Sequence, residues 1–187
     1  MAPELQRYYE DRFDLFSQQG WIDLIEDIDV MLEALNNVST ITDEKSLQNS
    51  EVIVIAVPTP LDLMRNPDLS YLEAATKLIA KTVNRSALVV NESTSYPGTL
   101  RNFIKPILDE ASNQKFLLAV APERVDPGNL EWNIGNTPRV ISGLNDGATS
   151  AAIEFYSTFC SNIYAAQNPE VAEASKLLEN TVRQVNI

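Results

Sequence analysis

The chain has 187 residues, of which 44% are hydrophobic and 21% are charged. This length is enough to bury one sizeable core, which excludes fibrous, disulfide-stapled and disordered classes of protein. The 26 acidic residues outnumber the 14 basic ones and give a formal net charge of -12, so nucleic acid, whose phosphates would be repelled, is not an expected partner.

The first segment, residues 1–50, differs in pattern from the rest of the chain. Gln6–Gln18 and Ile22–Leu35 are predicted to be helices, and Ser39–Thr42 is predicted to be a short strand. The acidic run EDID, Glu26–Asp29, indicates a solvated helix face. We therefore expect an atypical, mainly helical N-terminal segment.

From residue 51 to residue 167, short β-branched runs alternate with amphipathic helical patterns, which predicts a parallel sheet with crossover helices. Five strands are expected, at Glu51–Val57, Ala87–Val90, Phe116–Ala121, Arg139–Ser142 and Asn162–Ala166. Helices are expected from about Ser70 to Val83, from Pro97 with a kink at Pro106, and from Asp146 to Phe159.

The last segment, residues 168–187, begins with a strong helix-start signature. Asn168, Pro169 and Glu170 suit the N-cap, the first helical position and the first turn. No stop signal follows, so we expect the chain to end inside a helix.

Polar residues follow three of the predicted strands, in the sequences VPTP, NEST and APER. Ligands of open parallel sheets bind at the carboxyl ends of the strands. The candidate residues for one shared site are Thr59, Glu92, Ser93, Thr94, Glu123 and Arg124. The alternative is that these side chains serve turns and caps. Glu123 is either a partly desolvated base or a structural partner of Arg124.

The predicted terminal helix carries a second set of polar residues. Lys176, Asn180 and Arg183 are spaced i, i+4 and i+7 and share one face of the helix. The apolar stripe beside them consists of Val171, Ala174, Leu178, Val182 and Val185. The alternative to a functional face is an amphipathic helix with a solvated side.

Several residue types that carry chemistry are missing. The chain has no histidine, which excludes Ser-His, Cys-His and histidine-ligated metal chemistry. Its six glycines form no GxGxxG turn. The single cysteine, Cys160, lies in an apolar run and is expected to be a buried small hydrophobe, without an internal disulfide. No apolar run is long enough to span a membrane, so a cytoplasmic location is expected.

Four motifs, taken in order, resemble one known family. They are VIVIAVPTPLDLMRNPDLSYLE, VVNESTSYPGT, LAVAPERVDPGN and EVAEASKLLENTVRQVNI. Together they are similar to the UDP-glucose/GDP-mannose dehydrogenase family, and within it to the UDP-N-acetylglucosamine and UDP-N-acetylmannosamine 6-dehydrogenases. The resemblance implies a Rossmann-type doubly wound parallel sheet that lacks the first strand–GxGxxG–helix unit. It also implies that residues 51–167 form a partial NAD-binding domain and residues 168–187 the start of a central dimerisation helix.

The resemblance further implies oxidation of the C6 alcohol of a UDP-sugar to a carboxylate, with NAD as cofactor and a cysteine thioester as intermediate. Glu123 matches the glutamate that assists thioester hydrolysis, and Thr94 matches a threonine that positions water. Lys176 matches the lysine that stabilises developing oxyanion charge, and Asn180 matches its partner. The residues that match positions near the cofactor are Pro58, Thr59, Glu92 and Ser93.

The sequence also departs from the family pattern, because the glycine turn and the nucleophilic cysteine are missing. We therefore expect a fragment of a dehydrogenase that is inactive alone and binds NAD poorly. The alternatives are a non-catalytic module that pairs with full-length subunits and a coding fragment without a separate role. A homo-oligomer is expected to form through the terminal helix or through the sheet edge at Glu51–Val57, whose neighbouring strand is missing. The alternative for this edge is that residues 1–40 fold back over it as helices.

Overall fold

The computed structural model describes residues 43–124 and 131–186. These residues belong to one compact unit, Asp43–Ile187. The helices predicted at Gln6–Gln18 and Ile22–Leu35, the run Glu26–Asp29 and the strand predicted at Ser39–Thr42 lie outside the described residues.

Five strands form one sheet in the order β1-β2-β3-β4-β5. They are β1 (Val52–Ile55), β2 (Leu88–Asn91), β3 (Leu117–Val120), β4 (Arg139–Gly143) and β5 (Ile163–Ala165). All five lie inside or within one residue of the predicted ranges.

The pairs β1–β2, β2–β3 and β4–β5 are parallel, whereas β3 and β4 are antiparallel. This one pair departs from the parallel arrangement expected for the sheet. A parallel connection needs a crossover, usually a helix, and the described parts of the connection between β3 and β4, residues 121–124 and 131–138, contain no helix. The chain returns beside β3 in the opposite direction.

The helices also follow the sequence pattern. A short 3-10 helix spans Glu44–Leu47, and the longer helices are α1 (Ser70–Thr82), α2 (Lys105–Ala111), α3 (Asp146–Ser157) and α4 (Pro169–Val185). A π-helical stretch, Leu100–Ile104, leads directly into α2. Pro106 is the second residue of α2, directly after the π-helical stretch. Because proline has no N–H to continue the helical hydrogen bonds, the wide π-helical turn ends there.

The N-cap of α4 is the one that the sequence predicts, Asn168, and α3 has an N-cap of the same type, Asn145. The side chain of Asn145 accepts a hydrogen bond from the backbone N–H of Ala148 at 2.9 Å. Asn168 accepts one from the N–H of Val171 at 3.0 Å. Each side chain satisfies a backbone donor that the helix itself leaves unpaired.

The sheet has a packed core on each face. On one face, α1, the π-helical stretch and α2 cover β1 to β3, and the buried residues include Ile53, Leu72, Ile79, Val89, Leu100, Ile104 and Leu108. On the other face, α3 covers β2 to β4, and the buried residues include Leu88, Val90, Ala119, Ile141, Ala152 and Tyr156. Helices on both faces make this a doubly wound α/β sheet.

Strand β1 is an edge strand within the described residues, because its recorded partner is β2 alone. Val54, in its middle, is 37% exposed. An apolar edge of this kind can pair with another chain, so self-association at Glu51–Val57 stays a prediction.

Candidate functional site

A cleft of about 510 Å³ opens where β1, β2 and β3 end, and α4 provides its opposite wall. It is lined by Ala56, Val57, Pro58, Thr59, Glu92, Ser93, Thr94, Glu123, Lys176 and Asn180. The structure thus brings together all eight residues that the family resemblance singles out. Their catalytic and cofactor-binding roles stay predictions.

Ser93 joins the ends of β1 and β2. Its hydroxyl accepts a hydrogen bond from the N–H of Val57 at 2.8 Å and lies 2.9 Å from the carbonyl oxygen of Val57, to which it donates. The side chain is buried. The hydroxyl therefore acts as a bridge between the two strands, as the turn-and-cap alternative expects, and it fixes the backbone that carries Pro58 and Thr59.

Glu92 is held by two residues that the sequence did not indicate, Arg139 and Tyr156. One carboxylate oxygen, Oε1, accepts hydrogen bonds from Arg139 Nη1 at 2.6 Å and from the Tyr156 hydroxyl at 2.5 Å. The Arg139 guanidinium also lies 4.7 Å from the centre of the Tyr156 ring, within cation–π range. The cluster Glu92–Arg139–Tyr156 therefore connects the end of β2 to β4 and α3.

Burial, together with the hydrogen bond to Glu92, raises the pKa of Tyr156 above its ordinary value. Tyr156 is consequently neutral and donates its proton to the carboxylate at physiological pH. An arginine at the start of an apolar strand was a possible signal for this cluster. Its partners lie 47 and 17 residues away in the sequence, so spacing alone does not reveal them.

Asn91, fully buried at the end of β2, organises the loop that carries Thr94. Its Oδ1 accepts from the N–H of Ser93 at 3.2 Å, and its Nδ2 donates to the carbonyl oxygen of Ser93 at 3.3 Å and to Ser95 Oγ at 3.2 Å. Thr94, half-buried, thereby faces the cleft from a loop whose backbone is fixed on both sides.

Arg124 does not line the cleft; it forms an ion pair with Glu179 of α4, with 2.7 Å between Arg124 Nε and Glu179 Oε2. Glu179 also binds Arg183 at 3.0 Å, which accounts for the third member of the predicted polar face. Burial raises the pKa of Glu179, whereas the hydrogen bonds from Arg124 and Arg183 lower it. The two hydrogen bonds together have the larger effect, so the pKa lies below its ordinary value. Glu123, next to Arg124, is half-buried in the cleft wall.

Lys176 and Asn180 reach the cleft from the same face of α4. Most of the predicted apolar stripe on this helix is exposed, namely Val171, Leu178, Val182 and Val185. These side chains therefore contribute little to the core. The buried part of the helix is instead Pro169, Ala172 and Glu173.

Cys160 lies outside the cleft and is buried, with its Sγ 3.4 Å from the carbonyl oxygen of Ile134. This confirms the expectation of a buried side chain. Within the described residues no group of three or more His, Cys, Asp or Glu side chains is arranged to hold a metal ion. No described helix combines the length and the apolar character that crossing a membrane requires.

The cleft brings together hydrogen-bond donors and a carboxylate. The Lys176 ammonium group and the Asn180 amide can stabilise negative charge that develops on a ligand oxygen. Glu123 can take a proton from a water molecule, and Thr94 can orient that water. A doubly wound sheet with polar groups gathered at the carboxyl ends of its strands defines a nucleotide-binding α/β domain of the Rossmann type.

Comparison with known proteins gives the family. The model for the NAD-binding domain of the UDP-glucose/GDP-mannose dehydrogenase family matches residues 22–160. The chain belongs to this family, whose cofactor is NAD.

Over the matched residues, relatives in this family are about one third identical to the chain. A UDP-N-acetyl-D-glucosamine 6-dehydrogenase from Pseudomonas aeruginosa is 32% identical over 161 residues, which cover 83% of this chain and 38% of that protein. A UDP-N-acetyl-D-mannosamine dehydrogenase from Pyrococcus horikoshii is 38% identical over 152 residues, which cover 79% of this chain and 36% of that protein. The chain therefore spans about two fifths of the length of these curated relatives.

The fold agrees with the sequence comparison. The solved structure of a UDP-D-ManNAc dehydrogenase from Pyrococcus horikoshii superimposes with a TM-score of 0.74 at 35% identity. The match covers 84% of this chain and 38% of the solved chain.

The residues that line the cleft lack groups for one part of NAD, its diphosphate. The ends of β1 and β2, with Pro58 and Thr59, lie where the ligands of such sheets bind. A diphosphate needs donors of the kind that a glycine turn and a helix N-terminus provide, and the sequence has no GxGxxG. Lys176 is the single cation among the lining residues, which also include two carboxylates, Glu92 and Glu123. The diphosphate therefore has no cradle among the residues that line the cleft.

Proposed function

We propose that the cleft is part of the site of an NAD-dependent nucleotide-sugar 6-dehydrogenase that converts the C6 alcohol of a UDP-N-acetylhexosamine to a carboxylate. The observation that carries the proposal is that Thr94, Glu123, Lys176 and Asn180 meet in one cleft although they come from three separate segments. The names of the relatives, a UDP-N-acetyl-D-glucosamine 6-dehydrogenase and a UDP-N-acetyl-D-mannosamine dehydrogenase, support the substrate class.

In this proposal the chain's own residues stabilise charge and handle the proton of water. Lys176 and Asn180 donate hydrogen bonds to the oxygen that becomes negative during the reaction. Glu123 accepts a proton from the water held by Thr94, which makes that water nucleophilic. NAD, when bound, supplies the hydride acceptor.

We also propose that the chain alone is inactive and that it acts in the cytoplasm. Its single cysteine, Cys160, is buried outside the cleft and does not supply the nucleophile that a thioester route requires. The absence of GxGxxG removes most of the expected diphosphate affinity. A lone reduced cysteine suits a reducing compartment.

Calorimetric titration with millimolar NAD tests the binding part of this proposal. We expect no saturation in the micromolar range. A dissociation constant near or below about 10 μM, equivalent to about 7 kcal/mol, would contradict it, because it would mean that the strand ends bind the dinucleotide without the glycine turn.

The catalytic part is tested by NADH formation from UDP-N-acetylglucosamine and UDP-N-acetylmannosamine. We expect none from the isolated chain. NADH formation that persists in Cys160→Ala would show a mechanism without a cysteine nucleophile and would refute the proposed inactivity.

The role of Glu123 is tested in a chimaera in which this chain's residues 51–187 replace the matching part of the Pyrococcus horikoshii dehydrogenase. Glu123→Gln is expected to slow thioester hydrolysis, so that a covalent enzyme adduct accumulates and is seen by mass spectrometry. Glu110→Gln, on the exposed side of α2, removes the same charge and is the matched control. Turnover of Glu123→Gln equal to that of the control would show that Glu123 is structural.

A non-catalytic interaction module is the second candidate function, and exposed apolar surface on α4 favours it. Leu178 is 67% exposed and Val185 is 77% exposed. Mixing the chain with full-length family members, followed by size-exclusion chromatography with light scattering, should then give a heteromer of defined mass. Leu178→Glu should abolish that heteromer. Separate elution of the two proteins would reject this function.

A further inference from the structure

Glu173, in the second turn of α4, is a buried carboxylate that the proposed reaction does not use. Only 1% of its surface is exposed. We propose that Glu173 is a positioning residue, which holds Lys176 and Asn180 in the cleft by binding backbone amides of the Gly98–Leu100 turn. The inference deepens the proposed function, since it presumes that these two residues act there.

The two oxygens of Glu173 bind two different amides. Oε2 accepts from the N–H of Gly98 at 2.5 Å, and Oε1 accepts from the N–H of Leu100 at 2.8 Å. These amides stand at the start of the helical segment that runs through α2, where backbone N–H groups have no helical partner and the dipole favours an anion. Glu173 therefore caps this segment from a distant part of the chain.

The turn is built to present its amides. Gly98 has a positive φ of +94°, which side chains with a Cβ rarely adopt, and a Cβ at this position would lie 2.9 Å from Asn102 Nδ2. The same turn follows directly on the loop that carries Ser93 and Thr94. Glu173 thus joins α4 to the loop on the opposite side of the cleft.

The spacing along α4 transmits this contact to the cleft. Lys176 and Asn180 lie three and seven residues after Glu173, so the three side chains share one face of the helix. Fixing Glu173 therefore fixes both the rotation and the translation of that face. A turn of slippage would move Lys176 by about 5 Å along the helix axis.

Other contacts of α4 are weaker candidates for this role. Glu170 binds Arg101 at 2.6 Å, but both side chains are solvent-accessible, so water can replace either partner. Glu179 binds Arg124 beyond Lys176 on the helix, and neither residue of this pair lines the cleft. Only Glu173, among the described acidic residues of α4, is fully buried.

Stability alone does not explain a carboxylate at this place. Burial raises the pKa of Glu173, and the amide hydrogen bonds only partly offset this effect. Removing a carboxylate from water is costly, and this cost opposes the stabilisation that its hydrogen bonds provide. The carboxylate is therefore better explained by the geometry that it imposes on α4 than by the energy that it contributes.

The test compares the full chain with Glu173→Gln and with Glu170→Gln as the matched control on the same helix. The glutamine has one acceptor for two amides, so the Leu100 amide should exchange its hydrogen about 10-fold faster or more. The rate at which Lys176 is acetylated by a limiting reagent should change about threefold or more relative to Lys77 of α1. The side-chain amide signals of Asn180 should also shift. Glu170→Gln should leave the exchange rate of Leu100 and the acetylation rate of Lys176 within about twofold of the wild type, and should leave the Asn180 signals in place.

Two results would overturn the proposal. One is a Glu173→Gln variant with unchanged Leu100 exchange and Lys176 reactivity; the other is an equal rise in reactivity at every lysine, which indicates general destabilisation. If Glu173→Gln does not fold, Glu173→Met, an apolar side chain of similar length, is measured in the same way. Failure of both variants to fold would show a purely structural role. None of these readouts uses substrate or cofactor, so they are independent of whether the dehydrogenase proposal holds.

Discussion

Replacing Glu92 by glutamine tests whether this residue supports the fold rather than contacting a ligand. Arg139 is 4% exposed and the Glu92 side chain is 18% exposed, so the pair is nearly dehydrated. Glu92→Gln keeps the shape and one acceptor oxygen but leaves the Arg139 charge without a counter-charge. Removing one partner of a buried pair costs about 3–5 kcal/mol.

The residual acceptor and the partial exposure of Glu92 reduce that value, and we expect Glu92→Gln to lower the free energy of unfolding by about 2–3 kcal/mol. Tyr156→Phe removes the second hydrogen bond to the same oxygen and should cost about 1.5 kcal/mol. Because both changes act on one carboxylate oxygen, their effects should not add, and the double variant should show a coupling of about 0.5 kcal/mol or more.

Urea unfolding followed by circular dichroism at pH 7 measures these differences. Glu154→Gln, on the exposed side of α3, removes the same charge from a highly acidic chain and should stay within about 0.5 kcal/mol of the wild type. A Glu92→Gln variant as stable as this control would refute the reasoning, because it would show that the cluster is not a significant support of the fold.

Three further predictions concern other contacts. The pKa of Glu179 lies below its ordinary value of 4.5, so the charged carboxylate stabilises the fold above pH 4.5 and does so less as the pH falls through its folded-state pKa. The difference in unfolding free energy between the wild type and Glu179→Gln, measured by urea unfolding, should therefore shrink below about pH 4.5. A difference that does not change with pH would contradict this. Gly143→Ala should lower stability by about 2 kcal/mol or more in the same assay, since its Cβ would lie 2.5 Å from the backbone nitrogen of Thr149; an unchanged midpoint would disprove the close approach. Cys160 should react with a thiol reagent about 100-fold more slowly in the native protein than in urea, because it is buried, and rapid native labelling would argue against that.

Local patterns in the sequence determined most of the secondary structure. Asn168, followed by Pro169 and Glu170, predicts the start of α4, because the side-chain acceptor of an N-cap binds a free N–H group only a few residues further along the chain. Apolar runs of four to seven residues, bounded by turn residues, predict the five strands for a similarly local reason. The family motifs, and the gathering of strand-end residues such as Thr59 and Glu123, could also be inferred, since parallel strands end on one side of a sheet.

The tertiary structure alone decided how these elements are held together. The connection between β3 and β4 contains turn residues, among them the dipeptide Pro127-Gly128, but a turn signal does not by itself fix the direction of the next strand. The cluster Glu92–Arg139–Tyr156 and the contact of Glu173 with the Gly98–Leu100 turn join residues that are 17 to 75 positions apart. A buried charge is stable only beside a suitable partner, and that partner is brought to it by the folding of the whole sheet rather than by its neighbours in the chain.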